Sequence, residues 1–212
     1  MLLEDFIQYI QKNFDPEEVD IKVSSLNVHV SQPFLALNIS LDEGEQIRSE
    51  RVIFDLTQCK EIKLSDTSFS DIDLVKEHPL LWKYNDLQSS LYFKDVKGDS
   101  STLFWKLYRV HRELYGDLLP LDAYLNTAFL DRSDFLPPFG LFGRGPQKLM
   151  NIYARCLEQE GISCSQANIS DPVLWDGIKY TDGFQHPKIL FLNNSFIIAD
   201  DFVLRERTPI EI

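Results

Sequence analysis

The chain has 212 residues, of which 44% are hydrophobic and 12% aromatic, and its formal net charge is -12 at pH 7. This length and apolar content suffice for one large core or two smaller ones. The acidic balance opposes binding to phosphate backbones and anionic lipid surfaces. We therefore expect neither nucleic acid nor a membrane as a partner.

The first residues and the cysteines predict the cellular compartment. Glu4 and Asp5 lie where a secretion signal carries positive charge, and no apolar run reaches the roughly eighteen residues of a membrane-spanning helix. Cys59, Cys156 and Cys164 are far apart and form no CxxC pair, which argues against a disulfide framework or a zinc knuckle. We expect a cytoplasmic protein without a metal or a cofactor.

The first part of the chain predicts one helix followed by antiparallel strands. Apolar residues recur at helical spacing until Pro16, which predicts a helix over about 2–13. From residue 20 the period changes to two, as is typical of half-buried strands. The predicted strands cover 26–30, 35–41, 52–56 and 62–64, with a short edge strand within 67–74.

A boundary between two subdomains is predicted near residue 77, because His78 and Pro79 interrupt the strand pattern. We expect an N-terminal helix plus β-rich subdomain over 1–77 and an α+β subdomain over 78–212. No flexible linker rich in Ser or Gly marks the boundary, so the two subdomains are expected to share an interface.

The stretch 100–115 predicts the central helix of the fold, which Gly116 is suited to end. Its apolar residues form two adjacent stripes, one of Leu103, Leu107, Val110 and Leu114 and one of Phe104, Tyr108, His111 and Tyr115. Charged residues occupy the other side of the helix, which is the pattern of a helix that faces a core.

Downstream, the sequence predicts a short helix from Pro120, a long helix from Pro146 to Gly161 and a β-rich tail. The segment 131–145 between them is rich in Pro, Gly and aromatic residues and is expected to be an irregular surface loop. The tail predicts strands over 162–165, 174–175, 178–180, 189–192 and 196–199, with turns at 176–177 and 193–194. Because strands and helices come in separate runs, we predict an α+β fold with antiparallel sheets and segregated helices.

His111 is a candidate general base, since a neutral imidazole accepts protons near pH 7. No nucleophilic Ser or Cys motif accompanies it. The alternative interpretation is a hydrogen-bonded histidine at the rim of the core. No pair of histidines has the HxH or HExxH spacing of a zinc site, so no metal ligands are predicted.

Gly143, Arg144 and Gly145 are candidate anion ligands, because backbone amides and a guanidinium at the start of a helix can hold an anion. Their spacing matches neither a dinucleotide fingerprint nor a P-loop, and no strand is predicted before them. The alternative interpretation is that these glycines only let the chain turn sharply.

Trp105, Phe139 and Phe142 are candidate binding residues, since aromatic anchors dominate recognition surfaces. Trp105 falls outside both apolar stripes of its helix, whereas Phe139 and Phe142 lie in the predicted loop. A large aromatic side chain on a charged helix side indicates a second contact, either with that loop or with another chain.

The leading functional hypothesis is a non-catalytic, cytoplasmic binding protein that contacts a protein partner or a second copy of itself. The predicted contact surface is the outer side of the helix around Trp105 together with the loop over 129–144. One alternative is a hydrolase for an anionic or sugar-like ligand, with His111 as the base and Arg144 in the anion clamp. Another is a carbohydrate-binding module that stacks sugars on Trp82, Trp105 or Trp175.

Overall fold

A computed structural model describes residues 3–28, 30–94, 100–126, 138–175 and 179–210. The chain forms two compact units: a first unit of residues 1–78 and 186–212, and a second unit of residues 79–185. Both contain helices and antiparallel sheet, so the mixed α and β class with mainly antiparallel sheet is confirmed. The segregation of the helices and the central place of one of them stay predictions.

The helices are α1 (Leu3–Asn13), α2 (Trp82–Asn85), α3 (Ser100–Tyr115) and α4 (Gln147–Gln159), with 3-10 turns at Pro16–Glu18, Pro79–Leu81 and Leu121–Ala123. The strands are β1 (Val19–Asn27), β2 (Phe34–Asp42), β3 (Ile47–Lys63), β4 (Ser68–Phe69), β5 (Ile72–Val75), β6 (Gln88–Lys94), β7 (Phe139–Pro146), β8 (Ser163–Ser170), β9 (Val173–Trp175), β10 (Tyr180–Asp182), β11 (Lys188–Leu192) and β12 (Ser195–Pro209). Among the helices described, none is long and apolar enough to cross a membrane.

The first unit is a seven-stranded antiparallel sheet in the order β4-β1-β2-β3-β12-β11-β5. Alternate residues of β2 point into its core, as the period of two predicts: Leu35, Leu37, Ile39 and Leu41 are all at most 1% exposed. Helix α1 lays one apolar stripe on the same core, and its buried residues are Leu3, Phe6, Ile7 and Ile10. The helix predicted over 2–13 is thus observed with an amphipathic character.

The final β-hairpin belongs to the sheet of the first unit. Strand β12 pairs with β3 from Phe196 opposite Lys63 to Pro209 opposite Glu50, and β11 pairs with β5. The division predicted at residue 77 assigns this hairpin to the second part of the chain. The hairpin is local in sequence, but its pairing with β3 joins segments more than a hundred residues apart, which no local pattern encodes.

The second unit carries a three-stranded antiparallel sheet in the order β7-β6-β8 and a separate hairpin of β9 and β10. Helix α4 packs on all three strands of the larger sheet, and α3 packs on α4. Its core includes Leu91, Leu107, Leu149, Met150 and Tyr153, each at most 2% exposed. Helix α3 begins and ends as predicted, at residues 100 and 115.

The predicted loop over 131–145 is partly wrong, because its end forms strand β7. Pairing with β6 extends from Lys94 opposite Phe139 to Gln88 opposite Pro146, and β7 leads directly into α4. The outer edge of β7 is covered by the segment 124–126, where the backbone N–H of Asn126 donates to the Phe142 carbonyl oxygen at 2.8 Å. This neighbour compensates the poor strand propensity of the glycines. Residues 131–137 of the predicted loop lie outside the described residues.

Candidate functional site

Three aromatic side chains lie exposed on one side of α3, and we call them the α3 aromatic face. Phe104 is 43% exposed, Trp105 64% and Tyr108 38%. The rings of Trp105 and Tyr108 lie nearly parallel, with centroids 5.7 Å apart and an interplanar angle of 24°. At 100° per residue the three positions span about 100° of the helix surface, so they form one continuous patch.

The side of α3 adjacent to this face, together with the C-terminal turn of the helix, is buried and fixes the orientation of the face. Leu103 and Leu107 are at most 3% exposed, and His111 and Tyr115 are each 1% exposed. Burial of these four side chains holds the helix in place, so that the neighbouring positions 104, 105 and 108 face outward. The α3 aromatic face is therefore presented by a helix whose own packing is complete without it.

The cations next to the α3 aromatic face are each paired with a carboxylate. Lys106 pairs with Glu160, and Arg112 pairs with Asp117. Arg109 lies 3.7 Å from Glu113 one turn later on the helix. The local charge is thus close to neutral, although the chain as a whole carries -12. Neither a positively nor a negatively charged partner is therefore strongly repelled at the α3 aromatic face.

His111 is a buried side chain with both ring nitrogens in hydrogen bonds. Its Nε2 lies 2.8 Å from the Leu119 carbonyl oxygen, and its Nδ1 lies 2.7 Å from the Tyr153 hydroxyl. A carbonyl oxygen only accepts, so Nε2 donates and Nδ1 accepts from Tyr153. Burial lowers the pKa of His111, against a smaller opposing effect of the Leu119 carbonyl.

This geometry favours the structural interpretation of His111. A general base needs a free nitrogen within reach of a substrate, and here each nitrogen already has a protein partner. Burial raises the pKa of Tyr153 far above its ordinary value, so its hydroxyl keeps the proton that it donates. The role of His111 as a base stays an untested prediction.

The predicted anion site at Gly143, Arg144 and Gly145 lies on β7 and not in a loop. The amide of Arg144 donates to the Tyr124 carbonyl oxygen at 2.9 Å. The first amides of α4 are engaged as well, since Lys148 donates to the Asp86 carboxylate at 2.7 Å and Gln147 to the Leu87 carbonyl at 2.7 Å. Asp86 thus occupies the place that an external anion would take at this helix end.

The predicted aromatic residues separate into exposed and buried ones. Phe139 is 73% exposed at the start of β7, whereas Phe142 is 1% exposed and packs edge-on against Phe93 and Tyr153. Trp82 is half-buried. The side chain of Trp175 lies outside the described residues. Trp105 is therefore the predicted tryptophan that the structure places on an open surface.

Sequence reasoning missed Phe104 and Tyr108 as surface residues, because it placed them in a buried stripe with His111 and Tyr115. The structure divides that stripe: the C-terminal half is buried and the N-terminal half is exposed. The available signal was the adjacent Trp105. Trp105 falls on the charged side of the helix, and Phe104 and Tyr108 are its neighbours on the helix surface.

Two open grooves are among the surface features of the described residues. One, of about 460 Å³, runs between α4 and β8 in the second unit and is lined by Arg155, Glu158 and Gln166 among others. The other, of about 350 Å³, lies in the first unit and is lined largely by carboxylates, including Glu18 and Asp42. Within the described part of the chain, no group of three or more His, Cys, Asp or Glu residues is arranged to hold a metal ion.

Comparison with protein-family models, with curated proteins and with solved structures gives no match for this chain.

Proposed function

We propose that this chain is a non-catalytic, cytoplasmic binding protein and that the α3 aromatic face contacts a protein partner. The observation that carries the proposal is the exposure of Phe104, Trp105 and Tyr108 side by side on one helix. Scattered apolar residues are normal on a protein surface, but a contiguous aromatic patch is typical of an interaction site.

The physical chemistry of such a patch favours tight binding. Removal of apolar surface from water favours association, and aromatic anchors supply much of the energy at protein interfaces. The rings lie on a helix that is fixed by its buried side, so little backbone conformational entropy is lost on binding. The stacking of Trp105 on Tyr108 holds the tryptophan further in place.

The proposal is tested by photocrosslinking in cells that express the chain. A benzophenone amino acid at position 105 is expected to give one discrete adduct, whose mass and peptides identify the partner. The same amino acid at position 113 is the matched control, because Glu113 is on the same helix and 68% exposed but lies off the aromatic face. Equal adducts at both positions, or none at 105, would contradict the proposal.

The purified partner then allows a measurement of affinity. Replacing a central aromatic anchor by alanine costs about 2 kcal/mol or more, which corresponds to about thirtyfold in the dissociation constant. We expect Trp105→Ala to weaken binding by about this factor. Glu113→Ala is expected to change it less than about threefold.

One observation favours the carbohydrate-binding alternative, namely the nearly parallel, exposed rings of Trp105 and Tyr108. Sugar rings stack on such surfaces through their apolar faces. Titration of mono- and oligosaccharides with the heat of binding as the readout separates the two functions. A saturable change that disappears in Trp105→Ala would replace the protein partner by a sugar.

A further inference from the structure

Strand β8 forms one edge of the three-stranded sheet in the second unit. It spans eight residues, Ser163–Ser170, and the sheet order β7-β6-β8 gives it a single neighbouring strand. The other edge, β7, is covered by a bridge between Leu125 and Gly143 and by the hydrogen bonds of the segment 124–126. An edge strand without cover presents backbone donors and acceptors that pair readily with another strand.

Apart from β7, which is covered, the other outer strands that the structure describes are short. In the first unit the outer strands β4 and β5 have two and four residues, and β9 and β10 have three each. Short edges give an incoming strand too few hydrogen bonds to bind. Strand β7 is as long as β8 but is covered by the segment 124–126, so among the described outer strands β8 combines this length with a single neighbouring segment.

The composition of β8 also differs from the rest of the chain. Its sequence, SCSQANIS, has no charged residue, whereas 25% of the whole chain is charged. Proteins commonly protect an edge by placing lysine or another charge on it. The bulge near Asn168, where φ is +54°, disturbs only the end of β8 and leaves 163–167 regular.

We propose that β8 pairs antiparallel with β8 of a second copy of this chain, which extends the two three-stranded sheets into one of six strands. In a two-fold symmetric pair of strands, residues near the axis lie opposite the same residues of the second copy. Charged residues there would therefore repel each other. The chain carries a net charge of -12, so two copies repel each other over much of their surface. An uncharged β8 is a place where a second copy can approach without this repulsion. The inference is independent of the proposed function, since it concerns a different surface.

The groove beside β8 carries a charge pattern that fits the same arrangement. Arg155 and Glu158 line it from α4, and within the described residues neither has an ion-pair partner within 4.0 Å. Side chains of Cys164 and Gln166 face α4, where Gln166 donates to Asn151 at 2.7 Å. A two-fold axis perpendicular to the sheet puts both α4 helices on one face, so that Arg155 of each copy approaches Glu158 of the other.

The alternation of side chains along β8 limits where the two-fold axis can lie. Side chains that oppose each other in an antiparallel pair point to the same face, so the axis passes through a residue paired with itself. Ser165 is the midpoint of the regular segment 163–167, and its side chain is exposed on the face away from α4. A charge placed at position 165 therefore meets the same charge of the second copy.

The test is a charge exchange at position 165, followed by sedimentation of the full chain up to about 100 µM, a range that detects weak dimers. We expect the wild-type chain to dimerise. Ser165→Lys and Ser165→Asp are each expected to raise the dissociation constant at least about tenfold, because like charges directly opposite one another repel. An equal mixture of the two variants is expected to dimerise as the wild type does.

Charge changes at a position outside β8 provide the control. Thr57→Lys and Thr57→Asp make the same charge changes at an exposed position of β3, and we expect them to leave dimerisation unchanged. Circular dichroism confirms that each variant is folded. A monomeric wild-type chain would overturn the proposal, even if β8 then accepts a strand of a different protein.

A dimer that persists in both Ser165 variants would also overturn it. If Trp105→Ala abolishes that dimer, self-association belongs to the α3 aromatic face. Failure of the photocrosslink at position 105 leaves the β8 result unaffected, so the two proposals fail separately.

Discussion

Gly143 and Gly145 lie close to Tyr124, where the segment 124–126 runs antiparallel along the outer edge of β7. A Cβ atom at Gly143 would approach the Tyr124 carbonyl oxygen to 2.5 Å, and one at Gly145 would approach the Tyr124 ring to 2.6 Å. At Gly140, on the same strand, the nearest atom is a Phe93 ring carbon at 3.6 Å, an ordinary contact. Close approach of a neighbouring segment thus explains two glycines that the sequence offers as anion ligands.

The pair Gly143 and Gly140 gives a direct test of this explanation. We expect Gly143→Ala to lower the free energy of unfolding by about 1–3 kcal/mol, because the clash is with backbone that rotation of a side chain cannot relieve. Gly140→Ala is expected to change it by less than about 0.5 kcal/mol. Urea unfolding at pH 7 measures both, and equal effects would show that the close approach is not the reason for glycine.

Between elements of the first unit, Glu50 on β3 joins three parts of the fold. Its carboxylate is 3% exposed and accepts hydrogen bonds from Arg207 on β12, one of them at 2.9 Å, and it pairs with Arg48 on its own strand. The Arg207 guanidinium in turn lies 4.7 Å from the ring centroid of Phe6 on α1. The hydrogen bonds from Arg207 hold the pKa of Glu50 below its ordinary value, despite its burial.

Removal of the Glu50 charge should therefore destabilise the first unit. We expect Glu50→Gln to lower the free energy of unfolding at pH 7 by about 3 kcal/mol, since it leaves Arg207 without its buried partner. The folded-state pKa is lowered, so this contribution is complete above about pH 4.5 and is lost as the pH falls through the folded-state pKa. In urea unfolding, the difference in stability between wild type and variant should shrink as the pH is lowered below about 4.5.

Asp55 provides the matched control for this cluster. It pairs with Arg205 between the same two strands, but its side chain is 40% exposed. Exposed ion pairs contribute little because water screens them, so Asp55→Asn should cost far less stability than Glu50→Gln. A loss as large as that of Glu50→Gln would show that burial is not what makes the Glu50 cluster stabilising.

For the whole molecule, the chain leaves the first unit at residue 78 and returns at residue 186. The returning strands contribute Leu190, Leu192, Ile197 and Phe202 to the core of the first unit. Strand β3 pairs with β12 over residues 50–63, and with β2 only over residues 47–55. Removal of β12 therefore leaves much of β3 without a neighbouring strand. The second unit, in contrast, is built from one continuous stretch, 79–185.

A shortened chain tests this asymmetry. We expect a chain that ends at Gln185 to lose amide-exchange protection in β2 and β3, because their core is no longer closed, while α4 keeps its protection. A chain that ends at Ile210 is the control and should keep the protection of both units. Amide hydrogen exchange followed by mass spectrometry measures this, and intact protection of β2 in the shorter chain would contradict the expectation.

Local patterns in the sequence determine much of this fold. Helical spacing predicts α1, α3 and most of α4, and the period of two predicts β2, because these periods report which side of a segment is buried. The same spacing sets Trp105 outside the buried stripes, and its side chain is 64% exposed. Its binding role stays a prediction.

The tertiary structure alone decided which segments pair and which surfaces remain open. Strand β7 exists because β6 and the segment 124–126 flank it, although its glycines favour a loop. The partners of His111, the exposure of Phe104 and Tyr108, and the return of β12 to β3 likewise depend on segments distant in the sequence. Periodicity records that a side chain is buried or exposed, whereas the identity of its neighbour depends on long-range contacts that form only when the chain folds.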